Sequence, residues 1–109
     1  MALSASQLSK DMLASFSVEL KSKWPDIKDY AKTEAKKLAE TLVMIEKLHV
    51  TEKITDEQAQ LHIDIQRNST RIVLLALEGL GLLAVEAAIN AALDVVKTTV
   101  NTSVGFALI

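Results

Sequence analysis

The chain has 109 residues, a net charge of -2 and no cysteine. This length suits a single domain spanning 1–109. The small charge gives no strong attraction to nucleic acid, and the lack of cysteine excludes disulfides, zinc–thiolate sites and thiol nucleophiles. Hydrophobic residues make up 50% of the chain but aromatic residues only 4%, with one proline and three glycines. So few turn residues predict an all-α fold, an antiparallel helical hairpin or bundle of three to four helices.

The first two helices are predicted at about 4–23 and about 25–50. In the first, apolar residues recur every fourth position, and the Trp24-Pro25 step then ends one helix and favours the start of another. In the second, the spacing alternates between 4 and 3 residues, which is typical of left-handed helix packing. Its repeating positions are Ala31, Ala35, Leu38, Leu42, Ile45 and His49.

A long third helix is predicted at about 55–102, because Thr55 and Gln58 form a capping box and no proline follows. The short turn before it predicts an antiparallel hairpin with the second helix. The third helix is either continuous or broken, at 68–69 or at 79–81. Its polar face rotates by roughly a quarter turn across Gly79–Gly81, which indicates a kink or a change of packing partners there.

The segment 72–93 is the most apolar part of the chain, since 17 of its 22 residues are Ala, Val, Ile or Leu. It is long enough to span a bilayer, but Glu78, Glu86 and Asn90 lie inside it, and charged groups are costly at that depth. A central helix in a compact monomer is a second interpretation. Self-association is the third and the favoured one, because small residues along the segment allow close approach of helices.

We therefore expect a homo-oligomer whose subunits meet through the apolar C-terminal half of the chain, with the first half of helix three packed in its own hairpin. The residues predicted to form this interface are Leu82, Val85, Ile89, Leu93, Val96 and Phe106. A lysine at Leu82 or Val85 is then expected to disrupt assembly more than one near Leu61.

Glu46 and His49 form a Glu-x-x-His pair on one face of the second helix. This spacing resembles the motif of ferritin-like di-metal carboxylate proteins, in which two such pairs and further glutamates surround the ions. The chain has one copy, so the resemblance implies a dimer that supplies the other half, with Fe, Mn or Zn bound. His62 lies on the neighbouring helix about one turn from Glu46, and is the third candidate ligand.

Other chemistry has little support in the sequence. Neither histidine belongs to a triad-like pattern, and no glycine-rich phosphate loop is present. Lys28, Lys32 and Lys36 form a basic stripe, but without arginine or interleaved aromatics we expect no nucleic-acid partner. The N-terminus lacks the pattern of a secretory signal, so an intracellular or virion location is expected. The favoured function is a non-catalytic structural or assembly role without a cofactor. The alternatives are a ferritin-like metal-binding oligomer and a membrane-associated helical protein.

Overall fold

Four α-helices follow one another along the chain in the computed structural model, which describes residues 2–77 and 79–109. They are α1 (Ala5–Glu19), α2 (Trp24–Val50), α3 (Asp56–Leu75) and α4 (Leu82–Val104), with a short 3-10 turn at Lys21–Lys23 between the first two. The described residues contain no strand, and the predicted all-α class is confirmed.

The helix starts follow local sequence signals. The side chain of Ser4 accepts a hydrogen bond from the Gln7 N–H at the start of α1, and Pro25 occupies the first turn of α2. At the start of α3, Thr55 and Gln58 form the predicted capping box, with bonds of 2.9 and 3.1 Å. The side chains of Ser4, Thr55 and Gln58 accept hydrogen bonds from backbone N–H groups that have no partner within the helix. Pro25 has no backbone N–H, so it needs no such partner.

The helices run alternately up and down, as contacts between Leu3 and Glu46, His49 and Asp56, and Arg71 and Glu86 show. The bundle measures about 42 × 22 × 18 Å. α1 packs against α2 and α4, and α3 packs against the same two helices from the other side. The core consists almost entirely of Leu, Ile, Val and Ala side chains, with Met12 and Phe16 as its largest members. Small side chains such as Ala31 and Ala35 let the helix backbones approach closely.

The predicted third helix is divided in two. α3 passes through 68–69 without interruption and ends at Leu75, and α4 starts at Leu82. Between them Gly79 has a φ of 86°, a left-handed conformation that side chains with a Cβ rarely adopt. Arg67 pairs with Asn90 and Arg71 pairs with Glu86, so α3 and α4 run in opposite directions. The shift of the polar face reflects this reversal.

The C-terminal residues fold back on the bundle. Gly105 ends α4 with a φ of 86°, and the Asn101 side chain then holds the tail. Its Oδ1 accepts from the N–H groups of Leu108 and Ile109, both at 3.0 Å. Gln60 on α3 donates to the Leu108 carbonyl at 3.0 Å, so the tail also joins α3 to α4. The Leu108 side chain is buried as a result.

Candidate functional site

Glu46, the first candidate metal ligand, is buried near the end of α2 and is engaged by two other parts of the chain. The Leu3 N–H donates to Oε1 at 2.9 Å and to Oε2 at 3.1 Å. The Ser103 hydroxyl at the end of α4 also donates to Oε2. The carboxylate thus ties the N-terminal segment and α4 to α2, a structural task that the helix spacing alone did not indicate.

Among the described residues, neither histidine is hydrogen-bonded to the Glu46 carboxylate. His49 Nε2 lies 2.6 Å from Asp56 Oδ1, and its ring packs against Phe106 with 4.8 Å between ring centroids. His62 is half-buried on α3. Within residues 2–77 and 79–109, no group of three or more His, Asp or Glu side chains is arranged to hold a metal ion. Metal binding by Glu46, His49 and His62 stays a prediction.

Arginines on α3 bind the polar residues of α4. Arg71 pairs through Nε with Glu86 and donates from Nη1 to Asn68, and Arg67 donates to Asn90. The hydrogen bond from Arg71 lowers the pKa of the Glu86 carboxyl. The positive charges of Arg71 and Arg67 act in the same direction, and desolvation opposes them. Glu86 and Asn90, two of the three polar residues named within the apolar segment 72–93, therefore connect α3 to α4. The third, Glu78, lies outside the described residues.

The residues predicted to form an interface are mostly packed inside the chain itself. Val85, Ile89, Leu93 and Val96 are all buried within the bundle, where α4 packs mainly against α1 and also contacts α3 and α2. This placement differs from the expectation that they face other chains. Phe106 is half-buried against His49, whereas Leu82 at the start of α4 is exposed.

The large exposed apolar residues of α3 lie on one face of that helix, opposite the core. Exposed fractions are 60% for Leu61, 66% for Ile65, 68% for Ile72 and 37% for Leu75. With Asn68 between them, these five residues are spaced by 4, 3, 4 and 3, so they form one stripe along the helix. We call the five residues the α3 seam. It is roughly 21 Å long at 1.5 Å per residue.

One buried carboxylate lies between α2 and α3. Glu34 is only 1% exposed, and its Oε2 lies 3.3 Å from the Lys37 amine. Its Oε1 has no hydrogen-bond partner among the described residues, and it borders a shallow groove with Tyr30 and Val73. An unpaired buried oxygen is costly. The burial of Glu34 has no signal in the sequence, since a glutamate beside lysines on a helix usually faces solvent.

The basic stripe of α2 is exposed at all three of its lysines, Lys28, Lys32 and Lys36. Across the described helices, none has both the length and the hydropathy required to cross a bilayer. The apolar segment 72–93 is shared between the end of α3, the connection and the first half of α4.

No protein-family model, curated protein or solved structure matches this chain.

Proposed function

We propose that the chain is a non-catalytic structural protein that self-associates through the α3 seam. The supporting observation is the orientation of α3, whose more apolar face points to solvent. Its buried face consists of Ala59, Ile63, Thr70 and Leu74, while the α3 seam carries two leucines and two isoleucines.

This orientation is unusual for a helix that has no partner outside its own chain. Fully burying a Leu or Ile side chain is worth about 1.5–3 kcal/mol, whereas Ala and Thr offer less. A helix that packed only against its own chain would be expected to turn its larger apolar side chains inward. An aligned exposed apolar stripe is typical of a surface that binds another protein.

Leu82 and Leu83 add to the exposed apolar surface at one end of the α3 seam. Both are exposed at the start of α4, within one turn of Glu86, which pairs with Arg71 on α3. The proposed surface therefore includes Leu82, which also belongs to the interface predicted from the sequence. It consists mainly of the α3 seam, and the buried residues of α4 are not part of it.

A second copy of the chain is the partner that requires no other component. One helix pair of this length belongs at the small end of protein interfaces, below about 1,200 Å² in total. A dissociation constant on the order of 10 μM is expected for such a contact. Assembly should then depend on concentration in the micromolar range.

The proposal is tested by size-exclusion chromatography with light scattering, without detergent, on two double variants. Ile65→Lys with Ile72→Lys places two charges in the α3 seam and should reduce the mass to that of the monomer, 11.9 kDa. The matched control is Val18→Lys with Val95→Lys, which changes two similarly exposed valines on α1 and α4. This control should assemble like the unmodified chain.

Far-UV circular dichroism should show all three proteins equally helical, since each substituted side chain is exposed. A monomeric unmodified chain at about 100 μM, ten times the expected dissociation constant, would refute self-association. Equal loss of assembly in both double variants would show that the α3 seam is not the contact.

A further inference from the structure

Asp64 and Arg71 flank the α3 seam in an order that complements itself when one copy is reversed. We infer that two copies pair through α3 in the antiparallel direction, about a two-fold axis that passes between Ile65 and Asn68. This inference rests on the proposed function, because it assigns the direction and register of the same contact.

The two sides of the α3 seam differ in charge. Counting 100° per residue, one side carries Glu57, Asp64 and Arg71, which we call the charged flank. The other side carries only neutral or weakly basic residues and is called the neutral flank. Its residues are His62, Ser69 and Ala76.

Asp64 and Arg71 are the two members of the charged flank closest to the proposed axis. Asp64 is exposed, and its side chain makes no hydrogen bond or ion pair with any described residue. Arg71 is already held in place by Glu86 and Asn68, which use Nε and Nη1 of its guanidinium. Its Nη2 has no hydrogen bond to any residue that the structure describes, so Arg71 is a positioned cation beside an apolar stripe.

In an antiparallel pair the charged flank of one copy meets the charged flank of the other. Asp64 then lies beside Arg71 of the second copy, and the two-fold axis repeats this contact. Leu61 packs on Ile72 of the second copy. Each Asn68 lies opposite Ile65 of the second copy, next to the axis, and the two Asn68 residues are about 4.5 Å apart along the helices. A polar Asn within an apolar seam favours one register over the alternatives.

A parallel pair does not use these charges. There the charged flank of one helix meets the neutral flank of the other, so Arg71 faces Ala76 and Asp64 faces Ser69. The helix dipoles are also aligned in that arrangement and oppose each other in an antiparallel one. Both effects favour the antiparallel direction.

The chain has no cysteine, so single cysteines report the direction without background. Leu61→Cys and Ile72→Cys are prepared separately and treated with a short bis-maleimide, each alone and as an equimolar mixture. In the antiparallel pair, position 61 of one copy lies about 16 Å along the helices from position 61 of the other, whereas positions 61 and 72 of different copies are adjacent. The mixture should therefore give a mixed cross-linked product, and neither variant should cross-link when it is treated alone.

The opposite pattern, with Leu61→Cys cross-linking to itself and the mixture giving no mixed product, would overturn the antiparallel direction while self-association stands. A monomeric mass for both variants and for the unmodified chain would instead refute the proposed function. Light scattering on the same samples separates these two failures.

The charge contact is tested by Asp64→Lys, which should raise the dissociation constant about fivefold, since two exposed ion pairs are lost. Asp94→Lys is the matched control, an exposed carboxylate on α4 with the same change in net charge. It should change the dissociation constant less than about twofold. Equal effects of the two substitutions would contradict the pairing of Asp64 with Arg71 of the second copy.

Discussion

Gly105 ends α4 in a conformation that most residues avoid. Its φ is 86°, yet a Cβ added there would meet no atom within 4 Å, so only the backbone conformation disfavours a larger residue. Gly105→Ala should therefore lower the free energy of unfolding by about 1 kcal/mol. Urea denaturation followed by circular dichroism measures this difference.

Gly81 provides the control for that substitution. A Cβ at Gly81 is equally free of contacts, but its φ of -93° is ordinary. Gly81 is the N-cap of α4, where alanine is a poorer residue than glycine, but alanine also restricts the unfolded chain. These two effects oppose each other, so Gly81→Ala should change the stability by roughly a few tenths of a kcal/mol. If the two variants were equally stable, the left-handed conformation at Gly105 would not be the cause.

Glu46 was predicted from the sequence as a metal ligand, and in the structure its carboxylate joins the N-terminal segment and α4 to α2. Because it accepts hydrogen bonds from the Leu3 N–H and the Ser103 hydroxyl, Glu46→Ala should cost about 2 kcal/mol of stability. Glu40→Ala, at an exposed position of the same helix, should be nearly neutral in the same urea titration. A small effect at Glu46 would show that the buried carboxylate contributes little.

These partners of Glu46 could not be predicted from local spacing. Leu3 and Ser103 lie 43 and 57 residues away from it in the chain. The Glu-x-x-His pattern describes only one turn of one helix, and it does not say which other segments approach that turn. The arrangement of the bundle decides that.

At the level of helices, the pairing of α3 with α4 depends on the ionisation of Glu86. The Arg71 hydrogen bond lowers the pKa of Glu86 in the folded chain from its ordinary value of 4.5. The unfolded state then binds the proton more readily, so this contact stabilises the fold above about pH 4.5 and is lost as the pH falls through the lowered pKa. Glu86→Gln should reduce the loss of stability on acidification.

The corresponding measurement is a series of urea titrations between neutral pH and about pH 3. Glu40→Gln is the control, because its side chain has no ion pair with the described residues and is exposed. It should follow the pH dependence of the unmodified chain. If the stability of Glu86→Gln had the same pH dependence as that of the unmodified chain, the Arg71–Glu86 pair would not be a source of acid sensitivity.

The helices themselves were largely predictable, because capping residues, the Trp24-Pro25 step and apolar periodicity are local signals. The third helix was ambiguous for a physical reason. Its apolar residues continue on both sides of Gly79, and only the rotation of the polar face indicated a change of neighbours. In the structure, the connection that contains Gly79, with its left-handed φ, separates α3 from α4.

The outward face of α3 could not be assigned from the sequence. The helix carries two apolar stripes, and a pattern of spacing does not say which one is buried. The spacing of Leu61, Ile65, Asn68, Ile72 and Leu75 was available as a signal. Because α4 is more apolar than α3, the sequence favoured an interface on α4. Most of the residues in that predicted interface are buried by the chain itself.

For the whole molecule, the bundle explains how so apolar an α4 is covered within one chain. α4 packs mainly against α1 and also contacts α3 and α2, and the folded tail adds Leu108 to the core. The large apolar stripe that remains exposed lies on α3, and self-association through it is the central proposal.

Sedimentation equilibrium of the unmodified chain, in buffer without detergent and over a range from about 1 to 100 μM, tests that proposal most directly. Self-association through the α3 seam predicts a mass that rises with concentration from 11.9 kDa towards twice that value. A mass that stays at 11.9 kDa over the whole range would contradict it.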